Sequence, residues 1–200
     1  MVETSKINIA AALSGYIIPP LLPIPLLRLI PIISSTVSLQ WAIDEYQFLS
    51  SWKFSQFETA LSTDEAKGTN DIDLQKSNEI LPKWFRDWGP RGTLILFSSF
   101  PWSVGSALTN IYQLYKQNQV WSLNSSKTFY TLGAILACSH MLFGPKALGL
   151  LKKIRNGEPD GKPLESLSIW LRMHTLRTFI TDLPAVSCFV VAAVKATQGR

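Results

Sequence analysis

The sequence predicts an all-α protein: a four-helix transmembrane bundle with a kinked, Pro-rich first span and a cytoplasmic interfacial helix. Of 200 residues, 46% are hydrophobic and only 16% charged, a balance shifted from soluble domains towards the membrane class. The charges also leave long gaps. Ile7 to Leu27 is an uncharged run of 21 residues, Gly92 to Tyr115 one of 24 and Thr128 to Pro145 one of 18. Each is near the ~20 residues with which a helix crosses ~30 Å of hydrocarbon. Finally, Thr178 to Val194 carries one charge, Asp182, in 17 residues. It serves as a fourth span if that carboxylate has a partner, because an Asp at a helix centre costs about 2.5 to 3.5 kcal/mol. A single integral membrane domain is expected over 1–200, with spans near 7–30, 92–115, 128–145 and 174–195, an interfacial helix near 36–62 and a flexible loop over 63–80.

In the first span, Ala10, Ala11, Ala12, Ser14 and Gly15 offer a small-residue surface that a neighbouring helix can approach closely. Pro19, Pro20, Pro23 and Pro25 then interrupt the hydrogen-bond ladder, and a freed carbonyl is tolerated at membrane depth only under cover of protein or a wet cavity. This kink serves either packing or the lining of a pocket. Lys6 before Ile7 to Ile18 resembles the start of a signal peptide, but the prolines and the lack of a small-x-small site favour a retained span.

Trp41 to Leu61 mixes Asp44, Glu45, Lys53 and Glu58 with Trp41, Tyr46, Phe48, Trp52, Phe54 and Phe57, which suits a helix at the interface or capping the bundle. Thr63 to Ser77 is acidic and poor in apolar residues, hence the loop. Trp84, Phe85, Trp88 and Arg91 lead into the second span as interface anchors. That span carries Ser98, Ser99, Ser103, Gly105, Ser106 and Thr109 and should pack closely. Phe143, Gly144 and Pro145 should end the third span, and Asn156 to Gly161 reads as a surface turn.

The net charge is +5, but the 19 basic residues form no stripe or recognised nucleic-acid motif. They read as topology markers. Arg28 to Arg91 and Lys146 to Arg177 hold seven Lys/Arg each, against five elsewhere, so 28–91 and 146–177 are expected to be cytoplasmic loops. The Asn124 sequon in the short opposite connection fits an endoplasmic-reticulum lumen, although such tripeptides also arise by chance. Cys138 and Cys188 fall inside spans as packing residues.

The stretch Ser168 to Pro184 carries the chemistry. Trp170, His174, Arg177 and Thr181 stand at i, i+4, i+7 and i+11, so one helix face bears all four. Asp182 is the carboxylate nearest in sequence to Arg177. His140 and His174 should occupy the same cytoplasmic half of the bilayer, with Arg28 and Arg91 at that level. Two readings stand side by side. These residues are interface anchors, with Asp182 pairing Arg177, or they form a buried polar cluster at the mouth of an apolar cavity, where a histidine exchanges a proton near neutral pH. A haem or metal site on His140 and His174 lacks further ligands, and no serine sits in a nucleophile-elbow context.

The chain resembles the anthrone-oxygenase-like family of small four-helix fungal membrane proteins. Ser14-Gly15 is similar to the family's small-residue pair, Trp84-Phe85 with Gly89 and Gly92 to its Trp and Gly motif, and Trp170, His174 and Arg177 match its W-x3-H-x2-R pattern. The family's Pro-Thr-Asn after the third helix is here Phe143-Gly144-Pro145-Lys146, and the acidic stretch Thr63 to Ser77 is additional. The resemblance implies oxidation of an anthrone-type polyketide by O2 as co-substrate, with no cofactor and no metal, in fungal secondary metabolism. His174 would be the general base and Arg177 the stabiliser of the enolate, with Asp182 as the third catalytic group. Trp170, Trp84 and Trp88 would stack on the substrate, and Arg91, His140 and Arg28 complete the binding set. Expected partners are a hydrophobic small molecule and the bilayer, with biosynthetic enzymes or a second copy of the chain, and not nucleic acid. Two alternatives use the same residues differently: a membrane isomerase or cyclase that needs no O2, and a non-catalytic scaffold for biosynthetic enzymes. A transporter is disfavoured by four spans without repeats.

Overall fold

A computed structural model describes residues 23–60 and 64–198, with side chains at 23–52 and 74–198. The small-residue and proline features expected at Ser14, Gly15, Pro19 and Pro20 lie outside the described residues. The elements are α1 (Ile24–Ala60), α2 (Asp64–Lys116), α3 (Ser126–Ser139), a 3₁₀ turn (His140–Phe143), α4 (Gly144–Asn156), α5 (Pro163–Arg177), a π turn (Thr178–Asp182) and α6 (Leu183–Gln198). Ile24–Trp52, Leu74–Lys116, Ser126–Asn156 and Pro163–Gln198 are each long and apolar enough to cross a bilayer. The chain is an all-α integral membrane protein built on four such segments, as its uncharged runs predict.

The elements differ from the sequence reading in three places. The helix expected at 36–62 is not separate, since α1 runs unbroken from Ile24 to Ala60. The segment 63–80, expected as a loop, is helical from Asp64 onwards, so 28–91 is not one long loop. Asp44 and Glu45 interrupt the apolar run, but Gln40 donates to Asp44 at 2.8 Å and Glu45 lies 3.7 Å from the His174 imidazole, and a carboxylate that has a partner lets the helix continue. Gly144-Pro145 does not end the third segment either. The chain tightens into the 3₁₀ turn and restarts as α4 with proline in its first turn, where a missing N–H breaks no hydrogen bond. The stop comes at Gly157, left-handed at φ 72°. Glu158 N–H bonds Lys153 O at 2.9 Å and Gly157 N–H bonds Ile154 O at 3.2 Å, the paired closure of a glycine-capped helix.

The chain forms two compact parts, Met1–Ser38, Ser98–Ser139 and Thr181–Arg200 in one, and Leu39–Phe97 and His140–Ile180 in the other. In the first part a proline is answered by an amide. Pro31 lies inside α1 and has no N–H to give to the Leu27 carbonyl, its i−4 acceptor. Asn110 of α2 donates to Leu27 O instead, at 2.9 Å. The requirement that a freed carbonyl be covered is met here, at a different proline from those singled out in the sequence. Hydroxyls continue the seam: Ser103 donates to Ser34 at 2.9 Å and Ser38 shares a 2.6 Å hydrogen bond with Ser99.

Small residues bring α3 and α6 together. A Cβ on Gly133 would lie 2.5 Å from the Phe189 ring, so only glycine admits that ring. Tyr130, Ala134, Ala137, Ala185, Ala192 and Ala196 fill the same core. Of the α2 residues expected to pack inside, Ser99, Ser103, Ser106 and Thr109 are buried.

Candidate active site

The second part holds the cluster that the W-x3-H-x2-R spacing announces. Trp170, His174 and Arg177 share one face of α5 and are buried, at 3%, 1% and 9% exposure. Leu49, Leu81, Phe85, Leu150, Ile154 and Leu167 are in the same core. The Trp170 and His174 rings stack at 4.5 Å and 22°. Neither imidazole nor guanidinium points away from the protein.

The hydrogen bonds assign the imidazole tautomer. Arg177 Nη2 is 2.9 Å from His174 Nδ1, and a guanidinium can only donate, so Nδ1 carries a lone pair. The ring proton therefore sits on Nε2 and is donated to the Ala42 carbonyl at 2.9 Å. His174 is thus neutral, fixed by α1 at one nitrogen and covered by Arg177 at the other.

The carboxylate beside the imidazole is Glu45. Glu45 Oε2 lies 3.7 Å from His174 Nδ1 with 12% of its side chain exposed. Its other oxygen faces Gly92, where an added Cβ would stand 3.5 Å from Glu45 Oε1 and from Trp41. Asp182 belongs to the other compact part and accepts a 3.1 Å hydrogen bond from Thr181. Trp170, His174 and Arg177 keep the 100° register along α5, and beyond Arg177 the chain enters the π turn, whose wider winding departs from that register before Thr181. Pro184, two residues past that turn, has no N–H for Ile180, and such widened turns accommodate this loss.

Aromatic rings wall the cluster. Trp84 and Trp88 stack at 5.2 Å, Trp88 meets Trp41 at 5.8 Å, and Trp84 meets Phe48 at 5.3 Å. Trp84 and Trp88 pack against the core that contains Trp170. Of the remaining predicted residues, His140 is buried in the 3₁₀ turn, which packs on α5, and Arg91 is exposed. Arg28 is not in this part of the chain: it donates to Ala196 O at 2.7 Å in the first part. There it lines an apolar groove of about 380 Å³ with Leu29, Ile32, Val190 and Val194. Among the described residues no three His, Cys, Asp or Glu side chains converge.

Sequence reasoning missed Glu45 and the Ala42 carbonyl. A signal was available, because Trp41, Glu45, Phe48 and Trp52 repeat the i, i+4, i+7, i+11 spacing found on the last segment. With that spacing, the carboxylate sits on a face that is otherwise aromatic, and so towards the interior.

No family model and no solved structure matches the chain. Three curated relatives do. The probable epoxidase scpX of Mollisia scopiformis is 32% identical over 173 residues, 86% of this chain and 97% of the relative. The epoxidase gkaX of Penicillium citrinum is 34% identical over 171 residues, 86% and 94% respectively. The epoxidase pydX of an Acremonium species is 31% identical over 175 residues, 88% and 96%. Each alignment runs nearly the full length of both chains, so this chain belongs to the family of these fungal epoxidases.

Proposed function

We propose that the chain is an oxygenase of fungal secondary-metabolite biosynthesis, set in the endoplasmic-reticulum membrane, that oxidises a hydrophobic, enolisable polyketide-type substrate with O2 and no cofactor. The relatives' name, epoxidase, supports oxygen transfer to carbon. The observation that carries the chemistry is the Arg177 contact on His174 Nδ1. A substrate oxygen that draws the guanidinium to itself uncovers Nδ1 in the same movement. His174 then takes a proton from the substrate, Arg177 faces the enolate oxygen, and Glu45 at 3.7 Å supports the imidazolium.

The resulting carbanion adds O2 to form a peroxide, which recovers the proton from His174. Cleavage of the O–O bond leaves one oxygen on the substrate and releases the other as water with the two hydrogens that the substrate has lost. The balance is SH2 + O2 → SO + H2O, with the substrate as electron donor. It holds whether the retained oxygen ends as a carbonyl or as an epoxide on an adjoining double bond. A flat, apolar substrate reaches the site from lipid and is held by Trp84, Trp88 and Trp170.

The test is a comparison of membranes carrying wild type or His174→Ala, supplied with ¹⁸O2 and with no added flavin, nicotinamide or metal. One ¹⁸O atom in the product of wild type alone is the expected result. Equal product formation under argon replaces this reading with a non-oxidative isomerisation, and unchanged product from His174→Ala removes His174 from the chemistry.

A further inference from the structure

We infer that the buried indole N–H of Trp170 is a hydrogen-bond donor kept for an oxygen atom of the substrate, so that the site takes an oxygenated molecule and not a bare hydrocarbon of the same shape. This rests on the oxidation reading above and names the donor that recognises an oxygen of its substrate. Trp170 is 3% exposed, and its Nε1 has no hydrogen-bond partner. A buried donor left unpaired is uncommon and destabilising. Indole N–H can only donate, so what Trp170 lacks is an acceptor.

The surroundings show why an acceptor belongs there. The Trp170 ring lies flat against His174 at 4.5 Å, and the polar atoms of that imidazole are already engaged by Ala42 O and Arg177. Trp170 shares its core with apolar side chains such as Leu49, Leu81, Phe85, Leu167 and Met173, and no protein acceptor reaches its Nε1. A purely structural ring in such a core needs no N–H, as Phe85 demonstrates at 1% exposure. A carbonyl or enol oxygen satisfies the indole while the apolar body of the molecule replaces nothing polar. O2 is a poor acceptor, so the oxygen recognised is one that the substrate already carries.

The experiment uses the full chain in lipid nanodiscs, ¹⁵N-labelled at the indoles and kept under argon so that nothing turns over. Two tricyclic probes of like size are added, anthrone, which has a ring carbonyl, and 9,10-dihydroanthracene, which has none. Trp170→Phe assigns the Trp170 signal by its loss and keeps an aromatic ring in place. The inference expects the Trp170 N–H to move downfield with anthrone and not with dihydroanthracene. It also expects Trp170→Phe to weaken anthrone binding about tenfold more than it weakens dihydroanthracene binding. A Trp170 proton already hydrogen-bonded without probe, a signal unmoved by anthrone, or equal weakening of both probes overturns it. The oxidation reading fails separately: if His174→Ala still gives product while the indole responds to anthrone, His174 chemistry is wrong and the donor stands.

Discussion

Arg177 Nη2 and His174 Nδ1 are 2.9 Å apart, three residues along one helix, and in that position the guanidinium occupies the lone pair that a general base needs. The two groups cannot both serve a substrate until they separate. A side chain that only neutralises charge would not do this, because a lysine ammonium lacks the planar fork that holds an imidazole while presenting other N–H groups. Arg177→Lys is expected to lower turnover about a hundredfold, the scale on which one oxyanion donor matters. Turnover in isolated membranes measures this, and wild-type rates from the lysine variant would count against the role.

Glu45, on α1, is the acidic partner of the same cluster. Glu45→Gln keeps the shape and removes the charge that supports a protonated His174, so activity should fall about tenfold or more. Asp182→Asn should cost less than that, since Glu45 is the carboxylate beside the His174 imidazole. Rates of the two variants at equal protein level decide the ranking, and the reverse order would return the carboxylate role to Asp182.

Gly133 is where Phe189 sits closest to a backbone, with two ring carbons 2.5 and 2.7 Å from the place of an added Cβ. Gly133→Ala should destabilise the protein by about 1 to 3 kcal/mol through overpacking. Adding Phe189→Leu, which shortens the facing side chain, should recover part of that loss. Thermal unfolding in detergent is the measurement, and an alanine variant as stable as wild type would show that the helices separate freely.

Asn110 and Pro31 form a compensating pair across α1 and α2. Asn110→Ala strands the Leu27 carbonyl and should cost about 1 kcal/mol, within the range of hydrogen bonds between membrane helices. In a Pro31→Ala background the same change should cost less, because an alanine at that position supplies the backbone N–H that the Leu27 carbonyl otherwise lacks. A double-mutant cycle of unfolding free energies reads the coupling directly, and strict additivity would mean that the amide and the proline are unrelated.

The helical class and the W-x3-H-x2-R face were legible in the sequence because both are local. An uncharged run has to be a helix in lipid, where backbone groups find no other partner, and residues four apart share a face whatever surrounds them. Trp170, His174 and Arg177 were found in that way. Segment limits were not legible wherever a charge or a proline sat inside a helix. Glu45 looked like part of an interfacial helix because its partner His174 lies 129 positions away in the chain, and Gly144-Pro145 looked like a stop because a restart in 3₁₀ geometry leaves no compositional mark.

By itself, then, the sequence determined that the chain is apolar, helical and equipped with one polar face. Only the tertiary structure decided which carboxylate lies beside His174, which tautomer the imidazole holds and which donor covers Leu27. The reason is physical: burial raises the cost of every unpaired polar group, so each takes the partner that folding brings within about 3 to 4 Å, and that partner need not be a neighbour in the chain.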